Sequence, residues 1–407
     1  MRALPSRILL PLGLVAASVM TFGCGAGSNG TSGSSQNGNN PPSNVQTITV
    51  NGGPDSNFVD GAFTSVTVCV PGSTTSCQTI SGILVDTGSS GLRILSSALT
   101  ISLPQQNNSS GNPVAECAAF ASGITWGPVQ TADVKMAGEV ASSMPIQVIG
   151  SSNFSNIPGT CTAQGVPMDD LANLGANGLL GVGQAVQDCG SACVPGGQQM
   201  YYACLSSVCA DTPESLALQV QNPVASFATD NNGVIIELPA VSGGEASVSG
   251  SLIFGIGTQS NNGLGGATVF GTDPFGDFST TYNTTAYISF LDSGSNGIYF
   301  LDSNTTGIPL CTQPSLNFLY CPASAKDISV VNNAFMGTNG ASAPASFPVG
   351  NGLNLVSNPP NNNAINGLAG PFPGLIDFGL PFFFGRNVFT AFDGKSTPAG
   401  TGPYTAY

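Results

Sequence analysis

From residue 46 onward, short runs rich in Val, Ile, Thr and Phe alternate with clusters of Gly, Asn, Pro and Ser. Gln46-Thr47-Ile48-Thr49-Val50 and Gly233-Val234-Ile235-Ile236-Glu237-Leu238 typify the runs. β-Branched residues bounded by turn formers predict strands. Helical patterning is scarce, and residues 213–220 make the best short helix. The 54 glycines suit a turn-dense chain better than a disordered one, because 41% of residues are hydrophobic. The pattern predicts an all-β protein. Its 407 residues suffice for two cores, an amino-terminal lobe over residues 46–260 and a carboxyl-terminal lobe over 261–407.

One apolar run ends in chemistry. Ile83-Leu84-Val85 leads into Asp86-Thr87-Gly88-Ser89-Ser90, after which apolar residues resume. A buried strand here delivers Asp86 into a tight turn, where Gly88 lets a second chain approach closely. Thr87 and Ser89 carry hydroxyls that can bond around the carboxylate and orient it. Asp-Thr-Gly alone is a common surface turn; the apolar strand before it and the hydroxyls after it favour a functional reading.

The pattern recurs. Ala286-Tyr287-Ile288-Ser289-Phe290-Leu291 leads into Asp292-Ser293-Gly294-Ser295. Each copy is followed by two bulky apolar residues and a glycine: Leu179-Leu180-Gly181, 95 residues after Asp86, and Phe383-Phe384-Gly385, 93 residues after Asp292. A repeat at matched spacing implies two similar lobes facing each other, each contributing one aspartate.

These paired motifs resemble those of the pepsin-like aspartic proteases, and the resemblance covers nearly all of the chain after residue 46. It implies a bilobal all-β fold with the cleft between the lobes. In each lobe the later apolar-apolar-Gly strand would pass through the loop of the earlier motif. Residues 177–183 resemble the first such strand, residues 382–393 the second, and residues 250–255 the last strand of the amino lobe. By this resemblance Asp86 and Asp292 share a proton and activate water, Thr87 and Ser293 lock the two turns together, and Ser89 and Ser295 bond the outer carboxylate oxygens. Gly88 and Gly294 would aim backbone amides at the carboxylates. The implied substrate is an extended peptide, the protein a monomer, and no cofactor or metal is expected. Two positions depart from the family. The flap stretch, residues 118–127, has no tyrosine; Phe120 is the positional match and Trp126 the other candidate, although either aromatic equally suits a core. Arg93 stands where the family usually has an aromatic. Both departures bear on the substrate pocket more than on the aspartates.

At the amino terminus, Arg2 and Arg7 precede an apolar run over residues 8–20, too short for a spanning helix and flanked as a secretory signal is. Gly23-Cys24 then resembles a bacterial lipoprotein processing site, so residues 1–23 are read as signal peptide and Cys24 as the lipidated residue. Residues 25–44 are mostly Gly, Ser and Asn with no charge, so the span 24–45 is read as a lipid-anchored flexible tether. It has no basic residues with which pepsin-like zymogens cover their carboxylates, and no pro-segment of that kind is expected. The predicted location is the bacterial cell envelope, facing the periplasm or the exterior.

Charge, cysteine and histidine usage narrow the reading further. Twenty-one acidic residues against seven basic ones give a net charge of −14, which excludes a general nucleic-acid binder. So low a density of cations suits either an acid-tolerant protein or simply an extracellular surface. Eleven cysteines leave ten after Cys24, an even number in a secreted chain. Proximity suggests Cys69–Cys77, Cys311–Cys321, two bridges within Cys189, Cys193, Cys204 and Cys209, and Cys117–Cys161 from what remains. A four-thiolate zinc site in the 189–209 group is the alternative, disfavoured in an oxidising compartment. With no histidine, the chain has no Ser-His-Asp or Cys-His site. Residues 175–178 lack the Lys-Ser/Thr of a phosphate loop.

Two functional classes follow: an envelope-anchored aspartic endopeptidase, or a catalytically weak or inactive lipoprotein that keeps the fold as a peptide-binding scaffold. On the anchor itself, Cys24→Ala is expected to move the protein from the detergent-extracted membrane fraction into the soluble fraction. Mass spectrometry finding no lipid on wild-type Cys24 would refute the assignment.

Overall fold

The computed structural model describes residues 44–194, 200–205, 208–338, 340–357 and 362–407. The signal segment, Cys24 and nearly all of the tether lie outside these residues. The described chain is all-β and bilobal, with only single turns of helix such as Leu171–Leu174 and Gly352–Ser357. Residues 213–220 form a 3-10 turn, Leu216–Leu218, rather than the expected short helix.

Each half builds the same knot of strands around its aspartate. In the first, the strand Cys77–Asp86 runs parallel to Gly178–Val182, with Asp86 opposite Gly181. The strand that leaves the turn, Ser90–Leu95, runs antiparallel to the other edge of Gly178–Val182. The inserted strand therefore lies between the arms of the loop that carries Asp86. It is buried on both faces, which is why it reads as an unbroken apolar run. In the second half Thr285–Asp292 runs parallel to Phe372–Gly379, with Asp292 opposite Gly379. The returning strand Ile298–Leu301 is antiparallel to its other edge.

The second inserted strand is not the one expected. Phe383-Phe384-Gly385 matched the apolar-apolar-Gly pattern, yet Pro381 opens a 3-10 turn over Leu380–Phe383, and the strand that follows, Asn387–Ala391, belongs elsewhere. The inserted strand ends in Ile376-Asp377-Phe378-Gly379, and its buried carboxylate breaks the apolar signature. The three phenylalanines 382–384 are buried as core instead. Phe378 and Phe382 lie 4.7 Å apart, and Phe347 packs edge-on to Phe378.

A six-stranded run joins the halves. Val45–Asn51 pairs with Val248–Phe254, which pairs with Gly233–Glu237. Asn387–Ala391, Tyr404–Ala406 and Val269–Gly271 then extend the sheet from the chain's second half. Elsewhere the period of two is plain: in Lys326–Asn333, Ile328, Val330 and Asn332 face inward while Ser329 and Val331 face out. Each fully buried side chain of this kind contributes about 1.5–3 kcal/mol. Five disulfides pin the loops: Cys69–Cys77, Cys117–Cys161, Cys189–Cys193, Cys204–Cys209 and Cys311–Cys321. Cys69–Cys77 and Cys311–Cys321 are the pairs that proximity suggested, Cys117–Cys161 is the pair that remained, and the structure decides the pairing within the 189–209 group; among the described residues no cluster is arranged to hold a metal.

Asp60 ties one half to the other. Its N–H donates to the Asn363 carbonyl at 2.7 Å, and its Oδ1 accepts from the Ile365 N–H at 2.6 Å. Burial pushes this carboxyl well above the usual carboxylate range, against the opposing Ile365 bond. The folded chain thus holds the Asp60 proton more tightly than the unfolded chain does. The associated stability is complete below the unfolded value of about 3.9 and is lost as the pH climbs through the folded one. The thermal midpoint is expected to fall between about pH 4 and pH 7, and Asp60→Asn to lessen that fall. An equally steep fall in Asp60→Asn would show that other groups cause it.

Candidate active site

The two aspartate turns meet through a reciprocal clasp. The Thr87 N–H donates to Ser293 Oγ at 3.1 Å, and the Ser293 N–H donates to Thr87 Oγ1 at 2.9 Å. Each hydroxyl then donates to the other strand's carbonyl, Thr87 to Leu291 at 3.1 Å and Ser293 to Val85 at 2.8 Å. All four groups are buried, so these bonds form without competition from water. Asp86 and Asp292 are 4% and 1% exposed, so both carboxylates sit in the floor of the cleft rather than on a surface turn.

Glycine is required at the centre by close approach. A Cβ on Gly88 would lie 2.6 Å from Asp292 Oδ2. One on Gly294 would lie 2.7 Å from Asp86 Oδ1 and 3.1 Å from Asp292 Oδ1, so the two oxygens are within a side chain's breadth of each other. The Gly88 N–H donates to Asp86 Oδ1 and the Gly294 N–H to Asp292 Oδ1, each at 2.8 Å. On the outer oxygens, Ser89 Oγ donates to Asp86 Oδ2, and Ser295 Oγ lies 3.1 Å from Asp292 Oδ2. Each carboxylate is thereby oriented by one amide and one hydroxyl, leaving the inner oxygens side by side.

A cavity of about 160 Å³ opens beside the Asp86 turn. Its rim is apolar, with Phe120, Met200 and Phe275, and its charged members are Arg93 and Asp188. Phe120 closes the hairpin formed by Val114–Phe120 and Gly123–Met136, where it pairs with Gly123. Trp126, the other flap candidate, does not line this cavity. It is 2% exposed, donates its indole N–H to the Phe154 carbonyl and packs edge-on to Tyr202 at 5.3 Å. The period of two explains the split: Phe120 is at the hairpin tip, whereas Trp126 faces a second small core with the Cys117–Cys161 bridge.

Arg93 is fully buried, which a guanidinium tolerates only when paired. It donates to Glu116 Oε1 at 2.6 Å, to Asp188 Oδ2 at 2.8 Å and to the Ser90 carbonyl at 2.8 Å, and its guanidinium stands 5.7 Å from the Phe120 ring centroid. Burial works against its charge, but Glu116 and Asp188 more than offset this and keep it protonated. Burial, then the neighbouring Glu116, pushes Asp188 well above the usual carboxylate range, against the pull of Arg93 and of the Tyr201 hydroxyl 2.7 Å away. The sequence flagged Arg93 as a departure but not its partners, which come from segments 23 and 95 residues away. Asp377 was also missed; it lies behind Ser295 at 2.7 Å, and the available signal was a carboxylate two residues before a glycine.

The chain belongs to the DUF3443 family. The model of that family, described as a protein of unknown function, matches residues 40–407. No curated protein matches this DUF3443 chain. Among solved structures it is similar to the aspartic proteinase from Irpex lacteus, with a TM-score of 0.53 and 14% sequence identity over 89% of this chain and 96% of that one. At that identity the likeness establishes the fold alone, and the DUF3443 chain has the pepsin-like architecture.

Arg93→Met in the DUF3443 chain would leave Glu116 and Asp188 buried with no counter-charge. The expected loss is about 3–5 kcal/mol of unfolding free energy in a denaturant titration. Adding Glu116→Gln and Asp188→Asn should recover most of it. A loss below about 1 kcal/mol for Arg93→Met alone would overturn this account of the cluster.

Proposed function

We propose that the protein is an aspartic endopeptidase of the bacterial cell envelope, anchored through lipidated Cys24 and cutting extended peptides as a monomer. The observation that carries the reading is that the clasp sets two buried aspartate turns face to face, with Asp86 and Asp292 each oriented by one amide and one hydroxyl. In this mechanism the ionised partner takes a proton from a water held between the two. The protonated partner meanwhile donates to the peptide carbonyl oxygen. Water oxygen bonds to the carbonyl carbon and gives a tetrahedral intermediate with no covalent enzyme species. The aspartate that took the water proton then passes it to the amide nitrogen, the C–N bond breaks, and the hydroxyl formed from the carbonyl oxygen returns its proton to the other aspartate, which restores the shared proton. No cofactor enters this scheme.

The second reading is a peptide-binding scaffold with little turnover. It is favoured by Phe120, whose ring brings no hydroxyl to the flap tip beside the cavity.

Side-by-side cleavage of a peptide library at acid pH separates the two. Asp86→Asn and Asp292→Asn are each expected to lower cleavage by about 10²–10⁴-fold while leaving the fold intact, because each removes one positioned acid–base group. Wild-type activity should decline as the pH rises and the shared proton is lost. Cleavage surviving either substitution would eliminate the shared-proton mechanism, and no cleavage by wild type would favour the scaffold.

A further inference from the structure

The two aspartate turns have the same backbone but different supports. At the register position two residues before the paired glycine, the first half has Leu179 and the second has Asp377. Both side chains are fully buried. Behind the first turn, Ser89 therefore bonds Asp86 with an apolar residue at this position. Behind the second, Ser295 Oγ lies between two carboxylates, 2.7 Å from Asp377 Oδ2 and 3.1 Å from Asp292 Oδ2.

A serine hydroxyl has one proton to donate and lone pairs to accept with. It cannot donate to both carboxylates at once. If Asp377 carries a proton, the chain is satisfied end to end: Asp377 O–H donates to Ser295 Oγ, and Ser295 O–H donates to Asp292. If Asp377 is ionised, the hydroxyl proton is drawn to the shorter contact, and Asp292 keeps the Gly294 N–H but loses the Ser295 hydroxyl while gaining a like charge one hydroxyl away. Complete burial favours the first arrangement, because desolvation penalises the charged form.

Two other titratable groups, Tyr299 and Asp60, belong to the same buried region. Tyr299 stands opposite Asp377 in the sheet, but its hydroxyl donates to Asn296 Oδ1 at 2.7 Å. Burial, then the carboxyls of Asp377 and Asp60, hold that phenol far above its ordinary range, so it keeps its proton. Burial raises the Asp60 carboxyl as well. Asp292 is reached through Ser295, and Asp86 lies across the clasp.

We propose that Asp377 is a third acid of the site, a positioning residue whose proton is relayed through Ser295 to orient Asp292, and whose ionisation ends activity as the pH rises. The inference rests on the endopeptidase reading. The order of proton loss follows from distance. The last proton of the aspartate pair is held by a like charge in direct contact, whereas that of Asp377 faces a like charge only through a hydroxyl. Asp377 therefore ionises first and turns the Ser295 hydroxyl away while the pair still has its shared proton.

Asp377→Asn cannot ionise, and its amide can still donate to Ser295. Asp377→Leu, which copies Leu179, cannot ionise either and serves if the amide variant folds poorly. Both are expected to move the alkaline limb of the kcat/KM profile up by about one pH unit. In a Ser295→Ala background the same substitution should move it by less than half as much, a change that a merely structural role would not produce. A limb that stays put or moves down in both variants would overturn the proposal. Infrared titration of the carboxyl C=O band tests the relay without turnover. Wild type should show a protonated acid above pH 5 that Asp377→Asn lacks and that remains in Asp86→Asn. Absence of that band in wild type refutes the relay, whereas its presence with no peptide cleavage refutes only the endopeptidase reading.

Discussion

Four hydrogen bonds between the Thr87 and Ser293 turns are the constraint on which the site depends. Two carboxyl groups do not approach each other in a dry interior unless something holds their backbones there. The clasp does so by letting each hydroxyl accept one N–H and donate to one carbonyl of the opposite turn. Every donor and acceptor in the exchange is satisfied. Loss of either hydroxyl would strand a buried N–H and a buried carbonyl, at about 1–3 kcal/mol each. Gly88 and Gly294 permit the approach because no Cβ stands between the carboxylates.

The strands around the clasp explain why it is rigid. Gly178–Val182 and Phe372–Gly379 each fill the space between the arms of an aspartate loop, so neither loop can open without breaking two ladders. The two lobes support this common centre by different means. Behind the first turn lies a buried ionic cluster, Arg93 with Glu116 and Asp188, which also borders the cavity. Behind the second, Asp377 meets Ser295, and its neighbour Phe378 stacks on Phe278, meets Phe347 edge-on and packs at a tilt on Phe382.

The fold class, the two turns and the Cys69–Cys77 and Cys311–Cys321 bridges were legible in the sequence because each is written in neighbouring residues, whereas the pairing within Cys189, Cys193, Cys204 and Cys209 was left open. An apolar run that ends in Asp-Thr-Gly-Ser shows where a strand stops and what the turn can bond. Four of the five disulfides close short loops, with partners 4, 5, 8 and 10 residues apart. The second inserted strand was misread for the converse reason. Phe383-Phe384-Gly385 satisfies the local pattern, while the true strand carries Asp377, whose hydrogen-bond partner Ser295 lies 82 residues upstream.

By itself, then, the sequence determined that the chain is all-β, that two like turns exist and that Cys69–Cys77 and Cys311–Cys321 close short loops, since periodicity and turn chemistry act over a few residues. Only the tertiary structure decided which buried polar groups meet. The clasp joins residues 206 positions apart, Arg93 finds counter-charges on two separate segments, and Trp126 turns into a core while Phe120 lines the cavity. A buried donor must be paired wherever the chain happens to supply an acceptor, and that supply is a property of three-dimensional packing rather than of neighbouring residues.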